Sequence, residues 1–125
     1  MYAWLISLRR LGLCTLALLA LCISLGAHAT PTVRAAITPV FANSASVTIS
    51  SPTSTVVGDL LIAQIAVSSG ATITTPVGWT LLVNTANGSS LRQAIYWRLA
   101  AVAGANSFSW VLSASGRNGG AMLAI

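Results

Sequence analysis

The sequence predicts an all-β fold, an antiparallel β-sandwich that follows an N-terminal signal helix. Three observations lead to this prediction. From residue 46 onward the chain is rich in Val, Ile and Thr, which favour strands. Its apolar residues fall in short runs, several of which alternate with polar residues. Turn dipeptides containing Gly or Asn separate these runs at intervals of about 8–12 residues, a spacing typical of sandwiches.

Seven runs are predicted to be strands. They are residues 46–50, 60–67, 71–74, 79–84, 91–99, 107–112 and 120–125. The run 60–67 is almost continuously apolar, which predicts a central strand. The run 91–99 has two distinct faces. We expect one of them, Leu91, Ile95, Trp97 and Leu99, to lie in the core, and the other, Arg92, Tyr96 and Arg98, to face solvent.

Residues that tolerate a positive φ mark the turns between these runs. The predicted turns are Val57-Gly58-Asp59, Ser69-Gly70, Pro76-Val77-Gly78, Asn87-Gly88 and Asn118-Gly119. The last of them separates the predicted strands 107–112 and 120–125.

Residues 1–29 have the three zones of a secretory signal peptide. A basic segment ends at Arg9-Arg10, residues 11–25 are apolar, and residues 26–29 form an A-x-A site that predicts cleavage between Ala29 and Thr30. An uncleaved N-terminal anchor is the alternative. With cleavage, residues 30–45 form a leader segment and residues 46–125 the sandwich module. The predicted location is extracytoplasmic, secreted or at the cell surface, with membrane contact only through the signal peptide during export.

The composition after residue 29 excludes most catalytic chemistry. Both cysteines and the single histidine precede Thr30, and Asp59 is the only acidic residue of the chain. General acid–base catalysis, a Ser-His-Asp triad and a zinc site all lack their side chains. We therefore predict no catalytic residue, no metal and no cofactor. Four scattered arginines do not form a nucleic-acid footprint, so no nucleic-acid partner is expected either.

Asp59 and the aromatic residues are the remaining candidates for function. Asp59 follows Gly58 and is interpreted as a turn residue whose carboxylate accepts backbone N–H groups. Alternating tryptophans typically fill a core, which is the interpretation favoured for Trp97 and Trp110. The candidate contacts for a surface or glycan ligand are Trp79, Arg92, Tyr96 and Arg98.

A set of five short motifs extends from Gly58 to Ile125. It comprises GDLLIAQIAV, TPVGWTLL, NGSSLRQAIYWRLA, SFSWVLS and GRNGGAMLAI. This set resembles a β-sandwich module of large bacterial surface and secreted proteins of the adhesin-like, conserved-repeat kind. The resemblance implies an extracellular structural or adhesive role without catalytic residues. It also implies longer chains, and since Ile125 lies within an apolar run we expect the sandwich to be truncated at this end.

Three functions are therefore open. The first is a non-catalytic structural or adhesive module of an exported bacterial surface protein. The second is a carbohydrate-binding module of a secreted hydrolase, which exposed rings at Trp79 or Tyr96 would favour. The third is a truncated product without an independent function.

Overall fold

The computed structural model describes residues 30–125, which form β-strands and no helix. The strands are, in chain order, β1 (Ala35–Ala36), β2 (Val40–Ser50), β3 (Leu60–Val67), β4 (Ile73–Thr74), β5 (Thr80–Asn87), β6 (Leu91–Leu99) and β7 (Ser107–Ala124). The predicted all-β class is confirmed, and β3 and β6 have the predicted bounds. The predicted signal peptide, up to Ala29, lies outside the described residues. Within residues 30–125 there is no helix that could span a membrane.

The seven strands pair antiparallel in one open sheet. Its order is β1-β7-β3-β6-β5, and β2 and β4 also pair with β7. The predicted antiparallel pairing is thus confirmed. The two separate sheets of the predicted sandwich are not shown. The predicted leader segment 30–45 differs from the structure, because β1 and the first half of β2 lie within it and both pair with β7.

The long strand β7 organises the sheet. Its first half pairs with the second half of β2 and with β4, and its second half pairs with β1, β3 and the first half of β2. The register against β2 shifts between Ser44, opposite Gly116, and Ser46, opposite Val111. Residues 112–115 therefore have no partner on β2, and an irregularity of this kind bends a strand.

The predicted turn at Asn118-Gly119 was wrong, because both residues lie inside β7. The close approach of β2 to β7 explains why residue 119 is a glycine. A Cβ built at Gly119 would lie 2.7 Å from Cδ1 of Phe41 and 2.9 Å from the carbonyl oxygen of Val40. The absence of a side chain, and not a positive φ, is what this position requires.

Other predicted turns are present. Gly58, Gly78 and Gly88 have positive φ values of 93°, 80° and 55°. The N–H of Trp79 donates to the carbonyl of Pro76 at 3.2 Å, which closes a turn with Gly78 at its third position. A positive φ at that position defines a type II turn.

The core lies on one face of the sheet, called here the inner face. Its largest fully buried side chains are Trp110, Tyr96, Ile49, Leu61, Ile65 and Met122. Trp79, which immediately precedes β5, packs against Trp110 of β7 with ring centroids 5.1 Å apart. Because β5 and β7 are not neighbours in the sheet order, this contact shows that the sheet curls around its inner face.

The predicted faces of β6 are reversed in the structure. Tyr96 is 0% exposed and Trp97 is 36% exposed. The pairing with β3 decides the outcome, because Tyr96 lies opposite the buried Ala63, and Trp97 lies opposite Ile62 on the other face. The small side chain of Ala63 leaves space that the Tyr96 ring fills against Trp110, at a centroid distance of 5.8 Å. The expectation that Trp97 fills the core was therefore wrong.

Candidate functional site

The predicted contact residues Trp79 and Tyr96 are parts of the core. Trp79 is 6% exposed and lies edge-on to Phe108, at a centroid distance of 5.2 Å. Neither the indole Nε1 of Trp79 nor the hydroxyl of Tyr96 has a hydrogen-bond partner among the described residues. Burial raises the pKa of Tyr96. Both rings stabilise the fold by packing, and neither offers a face to a ligand.

The predicted contacts Arg92 and Arg98 have partners within the chain. The guanidinium carbon of Arg98 lies 4.9 Å from the ring centroid of Phe108 and 5.7 Å from that of Trp79, within the range of cation–π attraction. Arg92 donates from Nη1 to Oδ1 of Asn84 at 3.0 Å. Of the four predicted residues, the structure therefore brings together Trp79 and Arg98, and it does so at the rim of the core.

Asp59 has the role expected of a turn carboxylate. Its Oδ2 accepts the backbone N–H of Val56 at 2.9 Å, and it also lies 2.8 Å from Nε of Arg34. The backbone hydrogen bond and the neighbouring guanidinium hold the pKa of Asp59 below its ordinary value. The carboxylate thus ties the β1 end of the chain to the start of β3, and its low pKa makes it unsuited to proton transfer near neutral pH.

The face opposite the core, called here the outer face, carries apolar side chains that no other part of residues 30–125 fully covers. On it Ile62 of β3 lies between Trp97 of β6 and Leu123 of β7. The next row along β3 places Gln64 between Ile95 and Ala121. The apolar residues of these two rows are half-buried or exposed. Contiguous apolar patches on a protein surface often mark interaction sites.

A trough crosses this outer face next to β2. It has a volume of about 390 Å³, within the range of small-molecule sites. Its floor is formed by the small residues Ala66, Gly119 and Ala121, and Phe41 and Leu91 stand at its sides. The side chain of Phe41 is 83% exposed. The trough is therefore a concave part of the outer face with an exposed aromatic ring at its side.

Polar groups also border the trough. Arg117 and Gln64, both exposed, line it together with the buried Asn118. The side chain of Asn118 points to the inner face, because Asn118 lies opposite the buried Val67, and its Nδ2 donates to the carbonyl oxygens of Ser44 at 2.7 Å and Gly116 at 3.0 Å. The site thus combines an exposed ring, one cation and the exposed amide of Gln64.

Sequence reasoning did not find Phe41, Trp97 or Arg117. Phe41 lies in the segment that was interpreted as a leader, and the pattern of β6 assigned Trp97 to the core. Arg117 precedes a dipeptide that was interpreted as a turn. One signal was present: the pair Gly119-Gly120 interrupts an otherwise regular strand, and such glycines often mark a close approach of another group.

Comparisons with known proteins do not extend this picture. No protein-family model matches the sequence, and neither a curated protein nor a solved structure matches the chain.

Proposed function

We propose that residues 30–125 form a non-catalytic structural or adhesive module of an exported bacterial surface protein. The observation that carries this proposal is the uncovered apolar outer face, with Trp97 exposed beside Ile62. Such a face serves to contact another molecule. The finer architecture belongs to the same proposal: the curled sheet, with Trp79 against Trp110, acts as a sandwich whose two layers share β7.

The chemistry of the described residues supports a role without catalysis. Their single carboxylate, Asp59, is held by Arg34 and by a backbone N–H. No cluster of three or more His, Cys, Asp or Glu side chains occurs in residues 30–125. Hydroxyl groups are numerous in this range, but activation of a hydroxyl nucleophile needs an adjacent base.

A carbohydrate-binding module is the second candidate. The burial of Trp79 and Tyr96 removes the two rings on which this alternative was first based. The exposed rings of Phe41 and Trp97 replace them, because an aromatic ring at a concave surface is a suitable platform for the apolar face of a sugar. The two candidates agree on a non-catalytic binding role.

Export is tested by expressing the full chain in a bacterial host and determining the N-terminus of the product outside the cytoplasm. We expect Thr30 as the first residue. Ala29→Leu is the matched control, since the peptidase needs a small residue there, and it should leave the chain uncleaved. A product that stays in the cytoplasm and begins at Met1 would contradict the proposal.

Adhesion is tested with beads coated with the purified chain and washed over intact cells. Trp97→Ser removes the largest exposed ring of the outer face and should lower bead retention. Val77→Ser is the control, because Val77 is 98% exposed in the turn before β5. Equal retention with both variants would show that the outer face is not the adhesive surface.

A further inference from the structure

The trough beside β2 has the construction of a ligand site. Four adjacent strands contribute to it: β2 with Phe41, β7 with Gly119, β3 with Ala66 and β6 with Leu91. With neighbouring strands about 4.8 Å apart, the two side walls are separated by about 14 Å. The depression arises because the side chains on the two middle strands, β7 and β3, are small, and those on the flanking strands, β2 and β6, are large.

The position of Phe41 depends on the glycine beneath it. Phe41 lies opposite Gly119 in the β2–β7 register, and a Cβ at Gly119 would meet the ring. The ring therefore leans over the floor of the trough while most of its surface stays in solvent. The exposed ring gives a ligand an apolar surface beside the floor of the trough.

The charge of the trough is unbalanced. Arg117 borders it and has no carboxylate partner, because Asp59 is the only acidic residue of the chain and pairs with Arg34. Residues 30–125 hold four arginines and one aspartate, a formal excess of three positive charges. A ligand that complements this site carries a negative charge.

The remaining polar side chain of the trough suits hydroxyls. The amide of Gln64 is exposed there and supplies both a donor and an acceptor. A ligand with hydroxyl groups can pair with both.

We propose that the trough binds an acidic sugar, a hexuronate unit of a polysaccharide. Its carboxylate pairs with the guanidinium of Arg117, one apolar face of its ring lies against Phe41, and its hydroxyls pair with the amide of Gln64. This proposal rests on the proposed role as a non-catalytic binding module, and it names the class of partner.

The inference is tested by calorimetric titration of the full chain at about 0.15 M salt. The probes are oligogalacturonate and oligomannuronate, each compared with its methyl ester, which keeps the rings and removes the charge. We expect the acids to bind at least about tenfold more tightly than the esters, as a lost charge-assisted hydrogen bond predicts. Equal affinity for acid and ester, or no binding of either acid, would overturn the inference.

Two variants locate the site. Arg117→Gln should weaken binding of the acid by about tenfold or more, and Phe41→Ala by about three- to tenfold. Arg92→Gln is the matched control, because it removes the same charge from the face opposite the trough. An equal loss with Arg92→Gln would show that affinity follows net charge and not this site.

A measurement on the unaltered chain makes the test independent of how the variants fold. The backbone amides of Gly119 and Gly120 should shift in NMR spectra when the acid is added, and the amide of Val77 should not. Lack of any shift at the two glycines would overturn the assignment. The two proposals can fail separately. If Trp97→Ser lowers bead retention but the unaltered chain binds neither acid, this inference is rejected and the proposed adhesive role is retained.

Discussion

The stability of the sheet should depend on the lack of a side chain at Gly120, where β7 crosses the core. A Cβ at this position would lie 2.5 Å from Cδ1 of Ile49, 2.9 Å from Cδ1 of Ile65 and 2.8 Å from the carbonyl oxygen of Gln64. The two isoleucines can rotate, but the carbonyl belongs to the β3 backbone and is held in the sheet. Gly120→Ala therefore forces β3 and β7 apart.

The expected cost follows from two opposing effects. Overpacking a core by a methyl group typically destabilises by about 1–3 kcal/mol. Replacing glycine within a strand recovers about 0.5–1 kcal/mol, because alanine loses less backbone entropy on folding. The backbone clash places the first effect near its upper end, so the net loss should be about 2 kcal/mol, or roughly 10 °C in melting temperature for a domain of this size.

Urea and thermal unfolding of the full chain, followed by tryptophan fluorescence, measure this loss. Gly116→Ala is the matched control in the same strand, since its Cβ would meet only the side chain of Ser69, at ordinary distances of 3.5 Å from Oγ and 3.9 Å from Cβ. The control should be unchanged or slightly more stable. A Gly120→Ala variant as stable as the unaltered chain would refute the close packing of β3 against β7.

Three further predictions concern charge and burial. A backbone N–H and the Arg34 guanidinium lower the pKa of Asp59 below 3.8, so stability present above that pH should be lost as the pH falls below it, and Asp59→Asn should flatten this dependence. Burial raises the pKa of Tyr96 above 10.0, so stability should decline as the pH rises beyond 10. Tyr96→Phe should remove that decline and change neutral-pH stability by less than about 1 kcal/mol, since the hydroxyl has no hydrogen-bond partner within residues 30–125. Trp110→Ala should cost about 3–5 kcal/mol, whereas Trp97→Ala should cost less, because its ring is partly in solvent.

Unfolding curves recorded across the pH range check the first two of these, and urea titrations check the third. Acid stability that is the same with and without Asp59 would contradict its role in the turn. A steep alkaline loss that persists in Tyr96→Phe would assign that loss to another group. Equal costs at Trp110 and Trp97 would contradict the inner and outer faces of the sheet.

Local pattern was sufficient for several elements of the fold. The bounds of β3 and β6 agree with the prediction, because each is a run of strand-forming residues between turn residues. The role of Asp59 also followed from its neighbours, since a carboxylate after a turn glycine is placed to accept a nearby backbone N–H. Interactions within a few residues determine both features.

The candidate site depended on contacts between distant segments. Trp97 and Tyr96 are adjacent, and both faces of β6 carry apolar side chains, so alternation alone did not decide which face was buried. Phe41 contacts Gly119 only because β2 pairs with β7, and more than half of the described sequence lies between these two residues. The same pairing turns Asn118-Gly119 from an expected turn into the middle of a strand.

The sequence by itself determined the all-β class, the positions of the central strands and the small number of side chains capable of acid–base chemistry. These features follow from composition and short-range pattern. The tertiary structure alone decided which face of β6 is buried, that β7 runs unbroken through Gly119 and Gly120, and that Phe41 and Arg117 border one trough. The physical reason is that strand register is set by packing between segments far apart in the chain, and a shift of one residue exchanges the two faces of a strand.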